Sequence, residues 1–221
     1  MKGECGIILH KNMKILEYLV PERVNLDLKG TTKAETINEM AQLFVKSGII
    51  DSEDLEEFVR EINEREKLTP TGMQDGIAIP HARTPLVKSL SLAMGISHEG
   101  VDFESMDGEP SKLIFMIAAP EGTKKEHLDL LAEISKLSFE EELLEQLEEV
   151  KTVEGIFEKL KNKFKIKDKS DNSTFKSTSS GNIQIHGPNT LSQSSLNNTE
   201  SQSVLQQQQH LYNLLLPYRH H

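Results

Sequence analysis

Residues 113–119, Leu113-Ile114-Phe115-Met116-Ile117-Ala118-Ala119, form a continuous apolar run that stops at Pro120. The run has the length of a strand, and its β-branched and aromatic content suits a pleated surface. With no polar face, it reads as a strand buried on both sides. The flanking segments supply the cover. Val24-Asn25-Leu26-Asp27-Leu28 alternates apolar and polar as a first strand. Leu90, Leu92, Met94 and Ile96 alternate with Ser89, Ser91, Ala93 and Gly95 as another. Thr32 and Glu35 form a capping box before the helical stripe Ile37, Met40, Ala41, Phe44, Val45, and Gly48 fits the position that closes this helix. A second helix starts at Asp51 or Ser52 and buries Leu55, Phe58, Val59 and Ile62. Thr123 and Glu126 read as a second capping box, ahead of Leu128, Leu131, Ala132 and Ser135. An acidic helix over residues 140–149 turns Leu143, Leu144 and Leu147 inward. Thr152 caps a last helix with Ile156, Phe157, Leu160 and Phe164. Strands mixed with helices around one sheet predict an α/β fold: a mixed β-sheet flanked by helices on both faces, an α/β sandwich in a single domain.

The stretch Asp75-Gly76-Ile77-Ala78-Ile79-Pro80-His81-Ala82-Arg83 reads as a short strand over residues 76–80 that ends at a proline and then presents one histidine. Pro80 has no N–H for a ladder, so pairing is expected to end there. His81 is therefore expected just past a rigid element, facing solvent yet well positioned. Gly72 and Gly76 allow a tight turn or close approach ahead of it. Taken singly, the polar residues have ordinary roles. A lone histidine after a strand is usually structural. Arg65 would pair with Glu61 or Glu66, and His127 would be an exposed residue in a helix's first turn. Arg83 is by default a solvated charge, able to help dock an acidic partner. His98 reads as a solvated turn residue. Asp75 is a candidate for setting a ring tautomer or positioning Arg65.

The Pro80-His81 segment resembles the signature of the fructose/mannitol-type EIIA domains (EIIA type-2) of the bacterial phosphoenolpyruvate:sugar phosphotransferase system. Arg65-Glu66, sixteen residues before His81, resembles that family's Arg-Glu pair, and His127, forty-six residues on, resembles its second histidine. The resemblance covers about residues 13–164. It implies a phosphocarrier in which His81 is the phosphorylated nucleophile, Arg65 stabilises phosphoryl charge, and His127 hydrogen-bonds the phosphoryl group or His81. The implied partners are phospho-HPr as donor and the cysteine of an EIIB as acceptor, with a membrane EIIC beyond it. No cofactor or metal is implied. A shallow apolar docking surface around His81 is expected from Ile79, Leu86 and Met73. The rival readings are a nitrogen-type regulatory EIIA acting through phosphorylation-dependent protein contacts and a non-catalytic interaction module. The chemistry suits the residue types. Imidazole offers a neutral lone pair near pH 7, and a guanidinium fork matches phosphate oxygens.

A net charge of −10 over 221 residues argues against a nucleic-acid partner, which needs clustered Lys and Arg. One cysteine, Cys5, allows no internal disulfide and no Cys-based zinc site. No apolar run reaches the roughly 20 residues a membrane helix needs, so no direct membrane insertion is expected and a cytoplasmic location fits. The expected organisation is an extension over residues 1–12, the EIIA type-2 domain over 13–168 and a low-complexity tail over 169–221. The tail is rich in Ser, Asn, Thr and Gln, so disorder is expected there. It reads either as a linker toward a further domain or as foreign sequence, and the extension as an upstream start or a cloning addition.

Overall fold

A computed structural model describes residues 14–171, with side chains up to residue 163. The expectations for Cys5, for the extension and for the tail beyond 171 lie outside these residues. The elements run α1 (Lys14–Tyr18), β1 (Leu19–Asn25), α2 (Lys33–Lys46), α3 (Leu55–Leu68), β2 (Ile77–Ala78), β3 (His81–Arg83), β4 (Ser91–Val101), β5 (Ser111–Ala119), α4 (Lys124–Ser135), α5 (Glu141–Glu148) and α6 (Val153–Asp171). Short 3-10 turns lie at Ser52–Asp54 and Lys136–Phe139.

The sheet is mixed. β1 runs parallel to β4, β4 antiparallel to β5, and both β2 and β3 pair with β5 in parallel. β5 is the apolar run, and its cover comes from both sides. Leu113, Phe115, Ile117 and Ala119 join a core with Ile15 of α1, Leu130, Leu131 and Ile134 of α4, the leucines of α5, and Ile156 and Leu160 of α6. Ile114, Met116 and Ala118 face the opposite core, built with Ile37, Met40, Phe44, Phe58 and Ile62 from α2 and α3. The period-two geometry of a strand thus serves two apolar layers at once. The expected sandwich is the fold observed.

Two local expectations differ from the structure. The first strand lies at Leu19–Asn25 rather than 24–28, because Leu19 pairs with Leu92 and Val24 with Met94, with an irregularity between them. Leu28 still donates its N–H to Ile96 O at 2.8 Å, so the pairing continues past the formal strand end. The Thr32–Glu35 capping box forms as expected, but the Thr123–Glu126 box does not. The Thr123 hydroxyl turns back to donate to Pro120 O at 2.8 Å, and its side chain makes no cap bond to the helix. Thr152 does cap α6, its hydroxyl accepting from Gly155 N–H at 3.2 Å.

The loop between α3 and β2 carries the two glycines that matter for the site. A Cβ on Gly72 would stand 2.6 Å from Phe103 O, so only glycine fits the close approach there. Gly76 has φ of 74°, the left-handed region that favours glycine.

Candidate active site

Proline does not end the sheet. β2 stops at Ala78, Pro80 accepts a bond at its carbonyl from Ile117 N–H (3.0 Å), and pairing resumes at once with His81 opposite Ile117. His81 is therefore a strand residue and is fully buried, which corrects the expectation of a solvent-facing residue beyond the strand. The reason is that Pro80 loses one ladder donor toward β5 but keeps its carbonyl, so the register of Ile77 opposite Leu113 carries through to His81 opposite Ile117. The register fixes its direction. Ala82 pairs with Ala118 and belongs to the α2–α3 core, so His81 and Arg83 project to the opposite face, beneath α4.

On α4, His127 lies one turn before Leu130 and Leu131 and shares their inward stripe. It too is fully buried. The two imidazoles meet edge to face, with centroids 5.3 Å apart and planes at 70°. Arg65 sits in the last turn of α3, buried, with Nη1 donating to Thr69 O at 2.8 Å. Its guanidinium lies close enough to act on the charge of both histidines. The three residues singled out in the sequence converge where β3 begins beside the carboxyl end of β5, under the first turn of α4. This is where open α/β sheets place their sites.

The electrostatics favour neutral rings. Burial, then Arg65, then His127 hold the His81 pKa well below its ordinary value of 6.5, against the opposing pull of the Ile79 carbonyl. Burial, then Arg83 and Arg65, take His127 down to about 3. The His81 tautomer follows from geometry. Nδ1 lies 2.7 Å from Ile79 O, and a carbonyl can only accept, so Nδ1 carries the proton and Nε2 presents the lone pair.

Sequence reasoning missed two parts of this site. Arg83 is half-buried and acts on His127, and is not a merely solvated charge. Its signal is the i, i+2 spacing to His81, which a strand ending at Pro80 would hide. The tautomer role considered for Asp75 belongs instead to the Ile79 carbonyl. Asp75 is exposed, at φ of 60°, with its N–H bonded to Asp107 Oδ2 at 3.0 Å. The expected docking surface also changes. Ile79 and Met73 are core residues, and only Leu86 is partly exposed. His98 is exposed as expected, but it is a residue of β4 and not of a turn. Among the described residues, no three His, Cys, Asp or Glu side chains gather to hold a metal ion, and no helix is long and apolar enough to cross a membrane.

Residues 17–163 match the family model described as phosphoenolpyruvate-dependent sugar phosphotransferase system, EIIA 2. The chain belongs to this family. A fructose-specific EIIABC component of Bacillus subtilis (strain 168) is 39% identical to the EIIA chain over 146 residues. These are 66% of this chain and 23% of that protein, so the chain spans less than a quarter of that relative. The crystal structure of nitrogen regulatory protein IIA-Ntr from Neisseria meningitidis superposes with a TM-score of 0.61 at 30% identity, over 67% of this chain and 99% of the other. Enzyme IIA-mannitol from Escherichia coli, in a structure of its complex with phosphorylated enzyme IIB-mannitol, superposes with a TM-score of 0.55 at 28% identity, over 65% and 97% of the two chains. The relatives thus include sugar-transport and nitrogen-regulatory proteins.

Proposed function

We propose that this EIIA domain is a phosphocarrier in which His81 Nε2 takes a phosphoryl group from phosphorylated HPr and passes it to the cysteine of an EIIB for sugar uptake of the fructose/mannitol class. The observation that carries this reading is the His81 Nδ1–H bond to Ile79 O, which leaves an unprotonated Nε2 in a site with two guanidinium groups. The step is a displacement at phosphorus. The Nε2 lone pair forms the new N–P bond while the bond to the donor imidazole breaks, and that ring leaves with the electron pair. In the return step the EIIB thiolate attacks phosphorus and Nε2 recovers its lone pair. Phosphoryl transfer asks the protein mainly for positioning and charge stabilisation. Arg65 and Arg83 supply fixed positive charge, and the first turn of α4 adds the favourable end of a helix dipole. His127, neutral, offers a ring N–H to a phosphoryl oxygen.

The site is closed over His81, so transfer requires its cover to open when a partner docks. The likeness to a IIA protein solved with phosphorylated IIB supports an EIIB as acceptor. The nitrogen-regulatory likeness supports a second reading, in which the same phosphohistidine controls protein contacts instead of transport. The test is to incubate the protein with phosphoenolpyruvate, enzyme I and HPr and weigh it intact, beside His81→Ala. One acid-labile phosphoryl mass, absent from the variant and discharged on adding an EIIB, is the expected result. A mass that persists in the variant overturns the site. A mass gained but not discharged to any EIIB favours the regulatory reading.

A further inference from the structure

The Ile79 carbonyl that sets the His81 tautomer is itself held in place, and the holding chain ends on a buried carboxylate. Glu66 follows Arg65 at the end of α3 and is 3% exposed. Its carboxylate accepts both donors of Thr71: the backbone N–H at 3.2 Å and the hydroxyl in a short bond. Thr71 is fully buried, and its carbonyl accepts Ile79 N–H at 3.1 Å. Ile79 O then accepts His81 Nδ1–H at 2.7 Å. Around this line the loop is pinned by Met73 N–H to Ile77 O at 2.7 Å and by Gly72 N–H to Phe103 O at 3.2 Å.

We infer that Glu66 and Thr71 are positioning residues that, through the backbone of Ile79, hold His81 in its Nδ1–H tautomer and so keep Nε2 as the phosphoryl-accepting atom. The inference rests on the phosphocarrier reading for its consequence, but not for its geometry. A carboxylate is suited to the task because it only accepts, so both Thr71 donors must turn toward it and the peptide that follows is fixed. Burying that carboxylate is costly, and burial raises its pKa. The cost is met by the two Thr71 donors and by Lys33, 3.8 Å away, which also bridges to Glu104 at 2.6 Å. A staple needed only to close the loop does not require a buried charge. A group that must orient one carbonyl against one ring nitrogen gains from it, as the partners behind metal-bound histidines do.

The test uses the full chain labelled with 15N-histidine. The two ring nitrogens of His81 are read by NMR in the wild type, Glu66→Gln, Thr71→Val and Thr71→Ser, with the melting temperature of each. The wild type and Thr71→Ser are expected to show the Nδ1–H form. Glu66→Gln and Thr71→Val are expected to lose that preference, with His81 populating the Nε2–H form and accepting phosphoryl about tenfold more slowly while still folded. Thr71→Val keeps the amide donor and nearly the volume, so it carries the test if Glu66→Gln does not fold. An unchanged tautomer in a folded variant, even one of lower melting temperature, overturns the inference and leaves Glu66 as a loop staple. A wild type that shows the Nδ1–H form but takes no phosphoryl group sinks the phosphocarrier reading and leaves the tautomer result standing.

Discussion

The imidazoles of His81 and His127 lie edge to face, 5.3 Å between centroids, in a site that leaves neither ring any exposed surface. Their separation in sequence is bridged by one parallel strand pairing and one helix turn. Both are held neutral by burial and by nearby guanidinium charge. A neutral pair suits a carrier, because one ring needs a free lone pair and the other an N–H to offer.

The burial has a direct chemical consequence. Diethylpyrocarbonate attacks accessible neutral imidazoles, and His98 is exposed while His81 and His127 are not. Peptide mapping after brief treatment should find His98 modified well before either of the other two. Equal rates at His81 and His98 would show that the closed site is not the resting state.

Stability should depend on pH with a definite sign. The folded pKa values of both rings lie below the ordinary 6.5, and that of His127 is about 3. Below about pH 6.5 the unfolded chain therefore binds more protons than the folded one. The contribution is fully present above that pH and is lost as pH falls toward about 3, with a slope of at most about 1.4 kcal/mol per pH unit for each ring. Urea denaturation at about pH 7 and about pH 5 should show a smaller loss for His127→Phe than for the wild type. Identical losses would contradict the assignment.

Arg65 should matter through geometry as well as charge. Arg65→Lys keeps the charge but loses the fork and the bond to Thr69 O. Phosphoryl acceptance measured by rapid quench should slow by roughly ten- to a hundredfold. Arg65→Met should slow it further and raise the His81 pKa toward its ordinary value, as read by NMR titration. A wild-type rate in Arg65→Lys would remove Arg65 from the site.

The loop ahead of His81 should tolerate little. Gly72→Ala puts a Cβ against the Phe103 carbonyl and the backbone of Ser105. Thermal and urea unfolding should show a loss of about 1–3 kcal/mol. Gly48→Ala, where φ is 71° but the surroundings are open, should cost less.

Local chemistry was the legible part of this chain. The Thr32–Glu35 box formed because its two partners lie within one turn, and the Glu35 carboxylate takes the Thr31 donors without giving up Thr32 N–H. The Thr123–Glu126 box failed because the Pro120 carbonyl, just as near, took the hydroxyl. The two-sided burial of residues 113–119 was readable from composition alone. The place of His81 was not, because Pro80 removes one ladder donor yet its carbonyl still pairs, and the partner strand β5 lies thirty-odd residues away. Arg83 was lost with it, since a residue two past a strand's end has no assigned face. The chain from Glu66 to Ile79 depends on loop conformation, which residue types do not encode.

The central claim is that His81 Nε2 carries the phosphoryl group. Charging the 15N-histidine-labelled protein through phosphoenolpyruvate, enzyme I and HPr, then reading the nitrogen–phosphorus coupling by NMR, addresses it directly. A coupling on His81 Nε2, with Nδ1 still protonated toward Ile79 O, is the predicted result. A phosphoryl group on Nδ1, on His127, or on no histidine would contradict it.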